Sequence, residues 1–209
     1  MWSRVVLFTF LAAAVCAGRP NFPPFTKEDI LMTCERNNVT SDKLEQAKIS
    51  LEEHMKCNSD VPDIGRLSSD MERARANGTM DKVARRSCTN SELHKSCLAS
   101  IIKTFGLCAI IDLETEVSYL TNTINRIIEY SCTEEEHKMK LTKLYEAGIL
   151  RCIEIRGGEI AISCDQVPDE LNTLQATFQY YARCTVDQMK ACSTAAGDRA
   201  QDMLDYVRP

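Results

Sequence analysis

The chain is poor in the residues that most often carry out chemistry. Among 209 residues there are three histidines, His54, His94 and His137; each lies in a charged stretch and none sits at a metal-ligand spacing. No His-Glu-x-x-His, Gly-x-Ser-x-Gly or Gly-x-x-x-x-Gly-Lys pattern occurs, so the motif signals of zinc proteases, serine hydrolases and P-loop enzymes are missing. The cysteines form no Cys-x-x-Cys pair, the nearest two being Cys184 and Cys192, and a metal centre is therefore not expected. Positive charge is also short: 25 Lys+Arg stand against 30 Asp+Glu, a formal net charge of −5. That balance lacks the basic footprint of a nucleic-acid binder and the polybasic anchor of a membrane-surface protein. Only one long apolar run is present, Val5 to Cys16, and nothing later approaches the roughly 20 residues needed to cross a bilayer.

That run follows Met1-Trp2-Ser3-Arg4 and precedes Ala17-Gly18-Arg19-Pro20, with Val15 and Ala17 at the minus-three and minus-one positions of a cleavage site. Residues 1–17 read as a secretory signal peptide. Its removal takes away Cys16 and the single tryptophan, Trp2, and leaves Cys34, Cys57, Cys88, Cys97, Cys108, Cys132, Cys152, Cys164, Cys184 and Cys192. Ten cysteines in an exported chain predict five disulfides, with the connectivity open. Two sequons, Asn38-Val39-Thr40 and Asn77-Gly78-Thr79, are glycosylation sites in that setting.

Residues 18–25 hold Asn21-Phe22-Pro23-Pro24-Phe25, an extended leader arm. From Thr26 the pattern is helix and connector, giving one all-α domain over 26–209, a disulfide-braced helical bundle. Ile30, Leu31 and Cys34 mark a short helix that Asn37-Asn38 ends, and Ser41 caps a second carrying Leu44, Ala47, Leu51 and Met55. Ile64, Leu67, Met71 and Ala74 form a third stripe, stopped by Asn77-Gly78. Leu93, Cys97, Ile101 and Phe105 follow, interrupted at Gly106, and then Val117, Leu120, Ile124, Ile127 and Ile128 give the longest stripe, which should be central. Pro168 suits the first turn of a helix through Leu171, Leu174, Phe178 and Tyr181, and a last helix runs from Asp198 with Ala200, Met203, Leu204 and Val207 inward.

Three stretches share one grammar: Cys88-Thr89-Asn90-Ser91-Glu92, Cys132-Thr133-Glu134-Glu135-Glu136 and Cys184-Thr185-Val186-Asp187-Gln188. Each reads as a capping box behind a cysteine, so a helix should start at each; the second would continue through Met139, Leu144, Ala147 and Leu150. Between Cys152 and Cys164 the isoleucines alternate about Gly157-Gly158, and two readings stand: a hairpin, or a helix ended by Gly157 and restarted at Glu159. The cysteine rhythm also fits a duplication of 26–112 and 113–209, with Cys34, Cys57, Cys88 and Cys97 opposite Cys132, Cys152, Cys184 and Cys192.

In the C-terminal third, Phe178-Gln179, Cys184-Thr185-Val186, the seven-residue gap to Cys192 and the closing helix through Leu204 and Val207 resemble the insect 27-kilodalton haemolymph glycoproteins. The resemblance implies a secreted, all-helical glycoprotein and brings no catalytic residue. Odorant-binding proteins fit less well, since their Cys-x-x-x-Cys pair is missing. The acid clusters Glu134-Glu135-Glu136 and Asp112, Glu114 and Glu116 are explained by helix starts and lack EF-hand spacing. All six tyrosines lie in the second half, and Phe178, Tyr181 and the stripe from Val117 to Ile128 are the walls of any ligand pocket there. The sequence thus predicts a non-enzymatic protein without cofactor, acting by binding an extracellular protein. A carrier of a small apolar ligand and a salivary or venom effector are the alternatives.

Overall fold

The stripe Leu44, Ala47 and Leu51 becomes the inner face of the first long helix in a computed structural model that describes residues 31–208, apart from 33, 36, 61–63, 109–112, 150, 153–154, 156–162 and 165–173. Within helices the side chains of 57–60, 64–66, 68, 101, 105, 113–114, 116, 174 and 177 also lie outside the description. The signal peptide, the leader arm, Thr26, Asp112 and the helix start at Pro168 fall outside the described residues. The elements in order are α1 Ser41–Asp60, α2 Ile64–Ala76, α3 Met80–Thr89, α4 Ser91–Cys108, α5 Leu113–Ser131, the two-residue strands β1 Glu134–Glu135 and β2 Lys138–Met139, α6 Lys140–Glu146, α7 Leu174–Cys192 and α8 Thr194–Val207. The fold is all-α and disulfide-braced.

Helix α1 starts one residue earlier than the sequence suggests: Thr40, not Ser41, holds the cap, its hydroxyl 3.5 Å from the Lys43 N–H and its carbonyl accepting from the Leu44 N–H at 3.0 Å. Ala47 and Leu51 are buried with Cys34 and Cys108, and α1 lies against α4, where the Ser50 hydroxyl donates to the Ser100 carbonyl at 2.9 Å. Met55 does not continue the stripe. His54 does, its Nδ1 lying 2.8 Å from the Cys97 carbonyl, and one residue is about 100° of helix turn, which leaves Met55 54% exposed.

Helix α2 buries Met71 and Ala74 and ends at Asn77-Gly78 as its sequence requires. Gly78 takes φ +64°, and the Thr79 N–H donates back to the Ala74 carbonyl at 2.9 Å. Helix α3 comes next without having been anticipated. Its signal was present, since Met80, Val83, Ala84 and Cys88 recur at three- and four-residue steps and pack with Met71 and Met139.

None of the three cysteine-threonine stretches opens a helix with a capping box. Thr89 closes α3, its hydroxyl donating to the Arg85 carbonyl at 3.0 Å; α4 starts just beyond, at Ser91. Thr133 follows α5 and donates in the same way to the Glu129 carbonyl at 2.9 Å. Helix α5 ends at Ser131, and a β-hairpin occupies the place expected for a helix through Met139. Thr185 lies inside the unbroken α7. Threonine can bond backward to a carbonyl four residues earlier as readily as it caps forward, and here the two resolved hydroxyl bonds run backward.

Helix α4 passes through the buried Gly106 without a break, against the interruption expected there. A helical glycine costs about 1 kcal/mol; the helix is held just beyond it by the Cys34–Cys108 bridge and by the Asn37 amide donating to the Cys108 carbonyl at 2.7 Å. Helix α5 is central, touching α4, α6, α7 and α8. It supplies Leu120 and Ile124 to the main core, α7 supplies Phe178, Tyr181, Val186 and Met189, and α8 supplies Ala196, Ala200 and Leu204. Helix α8 begins at Thr194, four residues before the expected Asp198, because Ser193 caps it by accepting from the Ala196 N–H at 3.4 Å. Gly197 is buried inside this helix where it crosses the end of α7, so close that a Cβ would stand 2.7 Å from the Lys190 Cα.

The described bridges are Cys34–Cys108, Cys88–Cys132, Cys152–Cys192 and Cys164–Cys184, and Cys97 is disulfide-bonded as well. Cys88, opposite Cys184 in the cysteine alignment, reaches across to Cys132, whereas Cys184 pairs with the nearby Cys164. In the ambiguous segment Cys152, Ile155, Ser163 and Cys164 are helical; the Gly157-Gly158 centre lies outside the described residues.

Candidate functional site

The hairpin between α5 and α6 builds one side of a charged groove. Its two strands pair antiparallel, Glu134 with Met139 and Glu135 with Lys138, and the connecting Glu136 and His137 both take left-handed backbone, φ +52° and +65°. Two positive-φ residues between paired strands form the turn whose twist matches a tight hairpin. Asp81 on α3 fastens the hairpin by accepting from the Met139 N–H at 2.7 Å, and Arg85 bonds Asp81 at 2.6 Å and Glu134 at 3.1 Å. Burial works against ionising Asp81, but the Met139 N–H, Arg85 and Thr142 outweigh it and hold its carboxyl below the ordinary 3.8.

Across from the hairpin, α6 and the first turns of α8 complete the groove with Lys143, Glu146, Ala147, Ala195, Asp198, Arg199 and Asp202. Its cations are all engaged: Lys138 with Glu146 at 2.8 Å, Lys143 with Glu136 at 2.7 Å and Glu135 at 3.4 Å, Arg199 with Glu135 at 3.0 Å and Asp202 at 3.2 Å. The Lys143 bond holds the Glu136 carboxyl below its ordinary range, and the same bond holds the Lys143 ammonium above its own. Both therefore stay charged at neutral pH. Five carboxylates against three cations leave the groove acidic.

Beside it Tyr130, 1% exposed, lies 5.4 Å from Tyr206 with the Lys140 ammonium 4.2 Å from its ring centroid. Burial above all, and then the Asp202 charge, push the Tyr130 phenol up. Arg126 stacks 5.5 Å over Tyr206 and donates to the Arg208 carbonyl at 2.9 Å.

The residues singled out from sequence do not converge. Phe178 and Tyr181 are 3% and 1% exposed and pack into the main core, Phe178 edge-on to Tyr119 at 5.9 Å. His54 is spent on the Cys97 carbonyl; His94 is half-buried, its Nε2 without a hydrogen-bond partner among the described residues and its pKa lowered by burial; His137 is exposed at the hairpin turn. Asn38 and Asn77 are both exposed. Among the described residues no group of three or more His, Cys, Asp or Glu is placed to hold a metal, and no helix is long and apolar enough to cross a membrane. Sequence reasoning passed over Asp81, Arg85, Lys143 and Arg199. Asp81–Arg85 and Arg199–Asp202 were visible as opposite charges four and three residues apart, but what Lys143 and Arg199 share, Glu135, comes from another element.

An all-helical chain held by this many disulfides belongs to an oxidising compartment, and the protein is of the extracellular, disulfide-braced helical class. It belongs to the family described as "Protein of unknown function (DUF1397)", which matches residues 25–206. The chain is similar along its whole length to the 27 kDa glycoprotein of Bombyx mori, at 26% identity over 220 residues covering 94% of that protein. It is also similar to the 27 kDa hemolymph protein of Galleria mellonella, at 17%, and to the 27 kDa hemolymph glycoprotein of Manduca sexta, at 18%, each with all of this chain and 94% of the relative covered. No solved structure matches.

Proposed function

We propose that this protein is a secreted, non-catalytic glycoprotein of a body fluid that works by binding another extracellular macromolecule through its surface. The observation that carries this reading is the state of Phe178 and Tyr181. The aromatic side chains best suited to an interior ligand are filled in by their own core, so recognition falls to the surface. The relatives' names, hemolymph protein and glycoprotein, favour the same setting. Exposed Asn38 and Asn77 are the residues that would carry glycans. In the charged groove the ion pair of Glu136 with Lys143 holds the carboxyl below its ordinary range and the ammonium above its own, which moves both away from the working pH an acid–base catalyst needs.

The second reading, a carrier of a small apolar ligand, draws on the aromatic contacts of Tyr119 with Phe178 and of Tyr180 with Tyr181, which a ligand would have to part. Native mass spectrometry of protein purified from its own secretion separates the two. A mass explained by chain, disulfides and glycans, with a macromolecular complex that dissociates on raising salt, is the expected result. A small molecule released on unfolding would overturn it in favour of the carrier. Turnover on a hydrolase substrate panel, abolished by His94→Ala or His137→Ala, would overturn the non-catalytic assignment.

A further inference from the structure

Asn77 stands at the exposed C-terminal end of α2, followed by the one residue type that offers no side chain to shield its backbone nitrogen. Gly78 holds left-handed backbone, φ +64°, with nothing within 4 Å of where a Cβ would be. The two groups that would react are held by long contacts, the Asn77 side-chain amide donating to the Arg73 carbonyl at 3.4 Å and the Gly78 N–H to the Arg75 carbonyl at 3.3 Å, within a turn that the Asn77 and Thr79 N–H groups close on the Ala74 carbonyl at 3.2 and 2.9 Å. Both belong to a helix end, the part of a helix that opens at the lowest free energy. Thr79 adds a separate oddity. It is the N-cap residue of α3, yet its side chain makes no cap hydrogen bond, so the hydroxyl that completes the sequon does not cap the helix.

We infer that Asn77-Gly78 is a site of spontaneous succinimide formation, and that a glycan on Asn77 blocks it. When the last turn opens, the Gly78 backbone nitrogen loses its proton to solvent base and attacks the Asn77 Cγ. The N–Cγ bond forms, the Cγ–Nδ2 bond breaks, and ammonia leaves. Water then opens the ring at Cγ to give aspartate, or at the backbone carbonyl to give isoaspartate. A sugar on Nδ2 removes ammonia as leaving group and holds the amide. The product carboxylate would face the negative end of the α2 dipole, with Arg73 and Arg75 in that last turn to offset it. The glycan half of this inference rests on the glycosylation reading above; the succinimide half does not.

The test is to incubate the secreted wild type and Thr79→Ala side by side at mildly alkaline pH and follow the peptide spanning Asn77 by mass spectrometry and chromatography. In Thr79→Ala the peptide should pass from amide to separable aspartate and isoaspartate forms, faster as pH rises, while the glycosylated wild-type peptide stays intact. Gly78→Ala in the Thr79→Ala background should slow the conversion several-fold. Persistence of the amide in Thr79→Ala overturns the succinimide site. Wild type that lacks a glycan at Asn77 and converts as fast as Thr79→Ala overturns the protection while upholding the site.

Discussion

At the scale of single residues, two positions are set by geometry rather than by residue type. Gly197 is glycine because α8 crosses α7 there: an added Cβ would lie 2.7 Å from the Lys190 Cα and 2.8 Å from its nitrogen, and backbone cannot swing aside as a side chain can. Gly197→Ala should therefore destabilise the protein by about 1–3 kcal/mol, the usual cost of overpacking, although alanine is the better helix former; chemical denaturation measures it. Asp81 is set by its partners. Its folded pKa lies below the unfolded value, so the stability it contributes is present above the ordinary 3.8 and is lost as pH falls through the folded value. Denaturation midpoints followed into acid should fall less steeply in Asp81→Asn than in the wild type. At neutral pH Asp81→Ala should cost more than Asp81→Asn, since an asparagine oxygen can still accept from the Met139 N–H.

At the scale of elements, the sequence foretold helices wherever an apolar stripe ran long enough to outvote local chemistry. The stripes of α1, up to Leu51, and of α2 and α5 turn inward, because burial of Ala47, Leu51, Met71, Leu120 and Ile124 follows from their spacing; Met55 is the exception. Ends were less legible. Thr89 and Thr133 carry the residue pattern of a helix start but lie at a helix end or just past one, and only the partner of the hydroxyl, a carbonyl four residues back, distinguishes the two. The β1–β2 hairpin was hidden for a related reason: its turn is Glu136-His137, without the glycine or asparagine that normally advertises two left-handed residues. His137→Gly should then be neutral or stabilising, since glycine removes the left-handed cost, whereas His137→Val should lower stability by about 1–2 kcal/mol. Thermal melts of the two variants decide it. Of the groove, the members within one helix were legible as charge pairs and the meeting of Glu135 with Lys143 and Arg199 was not, since three elements bring it about.

At the scale of the whole molecule, each described disulfide pins one apolar cluster: Cys34–Cys108 the one around Ala47 and Leu51, Cys88–Cys132 the one around Met71, Ala84 and Met139, and Cys152–Cys192 and Cys164–Cys184 the main core. Cys88–Cys132, with a sequence separation of 44, joins α3 to the chain leaving α5; replacing both cysteines by alanine should lower stability by about 2–4 kcal/mol, read from urea midpoints under non-reducing conditions. Among the described residues nine cysteines, Cys97 included, are disulfide-bonded. Thiol titration of the unfolded, unreduced protein should find no free thiol. The order of the partners along the chain has a further effect, on manufacture. A polypeptide entering an oxidising lumen from its N-terminus presents Cys34 long before Cys108 and Cys88 before Cys132, with other cysteines emerging in between. Among the described bridges only Cys164–Cys184 joins cysteines that are neighbours in sequence order. First-come oxidation would thus trap wrong pairs in the N-terminal half, and the yield of native protein is governed by how fast those pairs are reshuffled, so a host rich in disulfide isomerase will make it where an oxidant alone will not.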